Sequence, residues 1–155
     1  MKIAVIGGGS TYSPELVNGF IQRMNTLPVK EVWLMDIDAQ RLSIVGEFVQ
    51  RLVRKNHSPF KVVLSPDSRA AISGADFVIT QLRVGHMAAR REDEYLGKRH
   101  HLVGQETTGI GGMSKALRTI PVILDLCKQI KEESPQALLL NFTNPSGLIM
   151  EAIQN

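Results

Sequence analysis

The segment KIAVIGGGSTYSPELVNGFI, residues 2–21, leaves few folds open to this chain. Five residues of buried-strand composition run directly into three glycines. A helix start follows, with Ser13 placed as N-cap, Pro14 as first helical residue and Glu15 in the first turn. Leu16, Val17, Phe20, Ile21 and Met24 then share one face. Strand, glycine turn and capped helix form the opening unit of a parallel α/β sheet. The signature recurs: EVWLMD (31–36), FKVVLS (60–65), DFVITQL (76–82) and ALLLN (137–141) read as strands. Helices are predicted over 39–56, 68–73 and 114–133, with a further one from Pro145. The helix over 39–56 carries an apolar stripe through Leu42, Val45, Phe48, Val49, Leu52 and Val53, and Pro121 either kinks the helix over 114–133 or starts its second half. Five alternations of strand and helix predict an α/β fold with a doubly wound parallel sheet.

A chain of 155 residues, 43% hydrophobic and 21% charged, has the make-up of one globular domain. No apolar run approaches the roughly 20 residues of a membrane span. The apolar part of MKIAVIGGGS is too short for a secretory signal. A cytoplasmic protein with no membrane partner is the expectation. The formal charge of +3 is not interleaved with aromatics, so nothing in it supports nucleic acid as a partner. A single cysteine excludes an internal disulfide and a cysteine-rich zinc site. Cys127 is in register with Leu117, Ile120, Leu124 and Ile130, which predicts a buried helical position.

Ligands of an open parallel sheet gather at the carboxyl ends of its strands. Gly7, Gly8, Gly9 and Ser10 lie there, where glycines permit a tight turn and let backbone N–H groups approach a pyrophosphate. Gly7 and Gly9 match the first two glycines of G-x-G-x-x-G, and Tyr12 stands at the third. Alone, the loop also reads as a glycine turn without a ligand. Asp36, ending the second strand, adds a carboxylate suited to both hydroxyls of an adenosine ribose. It would repel a 2′-phosphate, so NAD rather than NADP is expected. A strand-terminal turn or a helix cap is the other reading of Asp36.

The stretch RVGHMAARREDEYLGKRHHLVGQETTGIGG follows the fourth strand, and residues 83–101 alone hold five Lys/Arg, three Asp/Glu and three His. No apolar periodicity organises them. A solvated helix laced with ion pairs accounts for 90–99. Guanidinium groups at the carboxyl end of a strand also suit a phosphate or carboxylate on a substrate. Glu106 stands between flexible glycines, a placement that suits a site residue. A metal-ligand reading of His86, His100 and His101 stays open, but they lack the paired spacing of a metal site and an evident carboxylate partner. At the end of the fifth strand, LLLNFTNPSG gathers Asn141, Thr143 and Asn144 before Pro145. They are turn residues by type, and the two asparagines are candidates for cofactor and substrate contact by position.

GGGSTYSPELVNGFI, QLRVGHMAARREDE, GQETTGIGG, ALRTIPVILDL and NFTNPSG together resemble, in this order, the amino-terminal half of the NAD-dependent glycoside hydrolases of family 4. The 6-phospho-β-glucosidase branch is nearest. The resemblance implies a Rossmann domain of the lactate and malate dehydrogenase kind. It implies hydrolysis of a phosphorylated disaccharide or aryl glucoside by oxidation at C3, proton removal at C2 by a tyrosine, elimination, water addition and re-reduction. NAD and a divalent metal, typically manganese, are the implied cofactors. Residue by residue, it implies Arg90 and Asn144 as substrate contacts and Glu106 as the group that raises the basicity of the tyrosine. Gly7, Gly8, Gly9, Ser10, Thr11 and Asp36 would hold NAD, with Asn141 near the nicotinamide.

The metal-binding cysteine and histidine of the family, and its tyrosine, fall beyond position 155, and Cys127 does not replace that cysteine. Residues 1–155 are therefore expected to be the NAD-binding domain of a longer chain, itself without activity, whose whole is a homodimer or homotetramer. His86 and His101 stand where relatives are expected to carry glycine, and Glu106-Thr107 resembles the β-glucosidase branch. Two other readings remain open. A 2-hydroxyacid dehydrogenase shares the fold, a loop arginine and an Asn-Pro after strand five, but leaves GQETTGIGG unexplained. A non-catalytic NAD-binding module is the other.

Overall fold

A computed structural model describes residues 1–57 and 59–155. In chain order its elements are β1 (Lys2–Ile6), α1 (Ser13–Gln22), β2 (Glu31–Met35), α2 (Ala39–Lys55), β3 (Lys61–Ser65), α3 (Ser68–Ile72), β4 (Phe77–Thr80), α4 (His86–Arg99), α5 (Gly109–Glu133), β5 (Leu138–Asn141) and α6 (Ser146–Gln154). Two compact units divide them. Unit 1 is Met1–Leu82 with Gln129–Leu140, and unit 2 is Arg83–Lys128 with Asn141–Asn155.

The sheet has the order β3-β2-β1-β4-β5, and β1 pairs in parallel with both β2 and β4. The chain winds outward from β1 to β3 and then crosses to the other side at β4. The strand order reverses beside β1, the switch point at which such sheets take ligands. Register explains the core. Ile3 and Val5 lie beside Val32 and Leu34 on one side and Phe77 and Ile79 on the other, while Val62 and Leu64 continue the row. Because strand side chains alternate, these residues share one face, and Val17, Phe20, Leu42, Val49 and Val53 of α1 and α2 cover it. Each fully buried Val or Leu there contributes roughly 1.5–3 kcal/mol. Ala71 and Ile72 of α3 are buried outside this cluster, so α3 covers the opposite face.

Several expectations for unit 1 are corrected. Ser13 is not the N-cap of α1 but its first residue, completely buried, with its hydroxyl donating to the Gly8 carbonyl at 2.8 Å. The oxygen that would have capped the helix is turned onto the glycine loop. Phe48 is 49% exposed rather than core, and Gly46 takes the inner position because a Cβ there would overlap Leu64.

Unit 2 departs further. The arginine-rich stretch contains a full helix, α4, and α5 begins at Gly109 rather than Ser114, running through Pro121. Three of the four glycines of GQETTGIGG are crowded rather than flexible, and Gly109 alone stands in open space, at φ +63°. A Cβ on Gly104 would strike the Glu94 carbonyl, on Gly111 the Gln105 carbonyl, and on Gly112 the Thr107 backbone. The inner stripe of α5 is Ala116, Thr119, Ile123 and Leu126, not the one through Leu117 and Cys127. Leu117 is 69% exposed and Cys127 only half-buried. The α4 helix ends in a Schellman arrangement, with His101 N–H donating to the Lys98 carbonyl and Leu102 N–H to that of Gly97. His101 adopts the left-handed conformation there, φ 57°, and His86 adopts it at the start of α4, φ 54°.

Candidate functional site

In unit 1 the glycine loop lies flat on the strand ends. Gly7 has φ +93°, and a Cβ on it would come within 2.8 Å of the Gln81 carbonyl group. A Cβ on Gly8 would approach Leu34 Cβ to 2.7 Å, and one on Gly9 would reach Asp36 Oδ2 at 2.8 Å. Only hydrogen fits at Gly7 and Gly8, which face backbone, whereas a Cβ on Gly9 would displace the Asp36 side chain. The loop's amides largely serve its own geometry: Gly7 and Gly8 donate to the Met35 carbonyl at 2.9 and 2.7 Å, and Ser10 donates to that of Gly7 at 3.0 Å. Thr11 and Tyr12 stay exposed where α1 starts.

Asp36 follows β2 directly. Its Oδ2 accepts from Gly9 N–H at 2.9 Å and its Oδ1 from Asp38 N–H at 3.0 Å. Both the ligand reading and the turn reading of Asp36 therefore have geometry behind them, since each carboxylate oxygen retains a further lone pair. Sequence reasoning did not single out Gln81. Its Nε2 donates to the Gly7 carbonyl at 3.2 Å and to Ser13 Oγ at 2.7 Å, tying β4 to the loop and to α1. Its Oε1 is buried with no hydrogen-bond partner among the described residues.

In unit 2, Glu106 is the centre of a charged cluster. Lys115 and Arg83 both reach Oε1, and Arg90 Nη1 lies 3.3 Å from Oε2. Arg90 also donates from Nε to Glu94, one turn along α4, at 2.9 Å. Three cations against Glu106 and Glu94 leave a formal charge of +1. Burial alone would raise the Glu106 carboxyl pKa, but the Lys115 ammonium and the Arg83 guanidinium outweigh it and hold the group below its ordinary value. Burial pushes the Lys115 ammonium down, against the pull of Glu106. Beneath the cluster, Asp93 is 2% exposed and takes a two-pronged ion pair from Arg118, which also donates to the Val84 carbonyl at 3.0 Å. Burial would raise Asp93, yet the hydrogen bonds from Arg118 and Ser114 keep it below its ordinary value.

Asn141 closes β5 with an Asx turn. Its Oδ1 accepts from Thr143 N–H and its Nδ2 donates to the Thr143 carbonyl, both at 3.1 Å. Asn144 is exposed, and the Asn144–Pro145 bond is cis. Arg90, Glu106, Asn141 and Asn144 all belong to unit 2; Gly7 to Thr11 and Asp36 belong to unit 1. Lys115, Asp93 and Arg118 went unread in the sequence. Each partnership spans nine or more residues between a loop or helix and another helix, a spacing no local pattern marks.

A parallel sheet with this strand order, a glycine turn at the switch point and an acid just after β2 defines a Rossmann-type α/β protein. The likeness to malate dehydrogenase of Salinibacter ruber, TM-score 0.62 at 16% identity over 98% of this chain and 41% of that one, is one of fold alone. The family model of the family 4 glycosyl hydrolases matches residues 2–155, and the chain belongs to that family. A probable 6-phospho-beta-glucosidase of Bacillus subtilis (strain 168) is 51% identical over 155 residues, covering 99% of this chain and 35% of its own length. The 6-phospho-beta glucosidase of Thermotoga maritima, solved with manganese, NAD+ and glucose-6-phosphate, superposes with a TM-score of 0.94 at 43% identity, over 100% of this chain and 37% of that one. The present chain thus spans about a third of the length of its curated relatives.

Proposed function

We propose that this chain is the NAD-binding domain of a longer 6-phospho-β-glucosidase, which cleaves 6-phospho-β-glucosides by oxidation at C3, elimination and re-reduction. The observation that carries the reading is the Glu106 cluster. GQETTGIGG, which a plain 2-hydroxyacid dehydrogenase leaves unexplained, has a part here: it brings a carboxylate to Arg83, Arg90 and Lys115 and leaves an excess of positive charge. Such an excess suits a phosphorylated sugar, and a relative binds glucose-6-phosphate.

The residues present fit a dinucleotide. Gly7, Gly8 and Gly9 form a cradle that a Cβ would fill, and Gln81 Oε1 is a buried acceptor without a protein partner among the described residues. Gly7, Gly8, Gly9, Ser10, Thr11 and Asp36 would hold NAD, with Asn141 toward the nicotinamide. When bound, NAD takes the hydride from the sugar C3 and returns it at the end of the cycle. Asp36 accepts from the ribose hydroxyls and disfavours a 2′-phosphate. Arg90 binds the anionic sugar, and Asn144 offers a donor and an acceptor to a sugar hydroxyl. Glu106 orients Arg83 and Arg90, and its carboxylate is the group that would raise the basicity of the catalytic tyrosine of the longer chain.

Among the described residues, no three His, Cys, Asp or Glu side chains converge as a metal site. We derive no step through a metal; that the manganese of the whole enzyme is held by residues outside this chain is what the family resemblance implies. We place the enzyme in the cytoplasm as a homodimer or homotetramer; the exposed Met113, Leu117 and Leu124 on α5 are apolar surface that an assembly would cover.

The test is hydrolysis of p-nitrophenyl-β-glucoside 6-phosphate by the full-length enzyme with NAD and Mn²⁺. Activity should vanish when NAD is stripped away, and activity that survives would sink the mechanism. Arg90→Ala should raise KM for the sugar phosphate about 10- to 100-fold, the scale of a charge-assisted hydrogen bond, with NAD affinity unchanged.

A further inference from the structure

We infer that Lys115 is a positioning residue: from the second turn of α5 its ammonium fixes the Glu106 carboxylate and, through it, the stance of Arg83 and Arg90. A lysine is almost never fully buried without a partner, and the Lys115 side chain is 3% exposed. Packing alone would be met by Met or Leu at this point of α5, without the cost of taking an ammonium out of water. The charge is retained, and it is spent on one oxygen, Glu106 Oε1.

The surroundings show what the lysine fixes. The backbone of the Glu106 loop is pressed in place by the crowded glycines at 104, 111 and 112, so the carboxylate arrives from a set direction. Lys115 meets it from a helix turn that is itself braced, with the buried Thr119 hydroxyl donating to the Lys115 carbonyl at 2.7 Å. With Lys115 and Arg83 on Oε1, the other oxygen is left to Arg90. Arg90 is then held between Glu106 and Glu94. Three like charges tolerate this proximity only while the carboxylate between them stays ionised.

The benefit to substrate binding rests on the proposed function; the fixing of Glu106 does not. The closing experiment separates the two. Full-length enzyme labelled with [δ-¹³C]glutamate is titrated by NMR, the Glu106 signal being identified by its loss in Glu106→Gln. In wild type, Glu106 should titrate below ordinary glutamates. In Lys115→Met its titration should move up by about one unit or more, as for a carboxylate losing an adjacent cation. An unmoved Glu106 titration in Lys115→Met overturns the inference. If Lys115→Met does not fold, the ¹⁵Nζ signal of Lys115 in Glu106→Gln answers the same question. It should titrate lower than in wild type, and an unchanged value overturns the inference equally.

Kinetics give the functional half. Lys115→Met should raise KM for the sugar phosphate about 10-fold and leave NAD affinity unchanged, and Lys115→Ala, which empties the side-chain space, should recover in part with added ethylamine. Failure of ethylamine to restore any binding would count against positioning by charge. If wild-type enzyme shows no NAD-dependent phosphoglucosidase activity, the function is misread while the titrations still decide on Lys115.

Discussion

The glycine loop of unit 1 and the Glu106 loop of unit 2 are built alike in backbone and differently in charge. Both press glycines against neighbouring main chain so closely that no Cβ fits, at Gly7 and Gly8 in one and at Gly104 and Gly111 in the other. Yet Asp36 is met by the amides of Gly9 and Asp38, whereas Glu106 is met by three cationic side chains and Asp93 by Arg118. Backbone amides satisfy a carboxylate without cancelling its charge. Side-chain cations cancel it and, around Glu106, reverse the local sign. The first arrangement suits hydroxyl groups and repels phosphate; the second attracts an anion.

Removing a buried charge is where the two regions should differ most. Asp93→Ala strands Arg118, and breaking a buried pair costs about 3–5 kcal/mol. Urea unfolding of the full-length enzyme should show a loss of that size in the transition that carries unit 2. The pH dependence has a definite sign. The Asp93 carboxyl is held below its ordinary value of 3.8 in the folded state, so its contribution is complete above that value. It fades as pH falls from 3.8 through the lower folded value, so wild type and Asp93→Ala should converge on acidification. A gap that stays constant down to pH 2 would show that Asp93 acts by shape and not by charge.

This contrast also decides what the sequence revealed. The strands of unit 1 announce themselves because alternate residues face a continuous apolar layer, and Ile3, Val5, Val32 and Leu34 fall into register as the pattern requires. Asp36 and the glycines were legible because their roles follow from position on that frame. In unit 2, α4 has no apolar stripe to read. It is held by Arg90 with Glu94, Arg99 with Glu92, and Asp93 with Arg118 on α5, the last a partnership across 25 residues. Gly111 and Gly112 look like a loop by helix propensity but lie in the first turn of α5, because only hydrogen fits beneath Gln105 and Thr107. Lys115 went unread for the same reason, since its partner lies in a loop that sequence alone left unplaced.

A smaller effect is expected at Asp36. Asp36→Ala should weaken NAD binding, measured by calorimetry on this chain, by about 1–2 kcal/mol, since it removes charge-assisted hydrogen bonds. Some of that loss belongs to the loop, because Gly9 loses its acceptor as well. Asp36→Asn separates the parts: it keeps a carbonyl for Gly9 while removing the charge. Full recovery of NAD affinity in Asp36→Asn would mean that the charge of Asp36 contributes nothing to NAD binding, and the charge-assisted bonds to the ribose would be lost from the site.

The smallest effect concerns how each unit turns a corner with positive φ. Both units use glycine and histidine at such corners, Gly7 and His57 in unit 1 and Gly109 and His101 in unit 2, and His101, at φ 57°, stands where the α4 helix ends. A left-handed residue with a side chain costs about 1 kcal/mol more than glycine, and the Schellman position is the one at which glycine is most favoured. His101→Gly should therefore stabilise unit 2 by about 0.5–1 kcal/mol, less than the full strain because glycine also loosens the unfolded chain. His101 is exposed, so the substitution removes little packing. A thermal melt that rises while KM for the sugar phosphate stays fixed would mark His101 as a residue of local shape only. If the melt rises and KM worsens, the imidazole is engaged with substrate, and the cationic region of unit 2 extends to the end of α4.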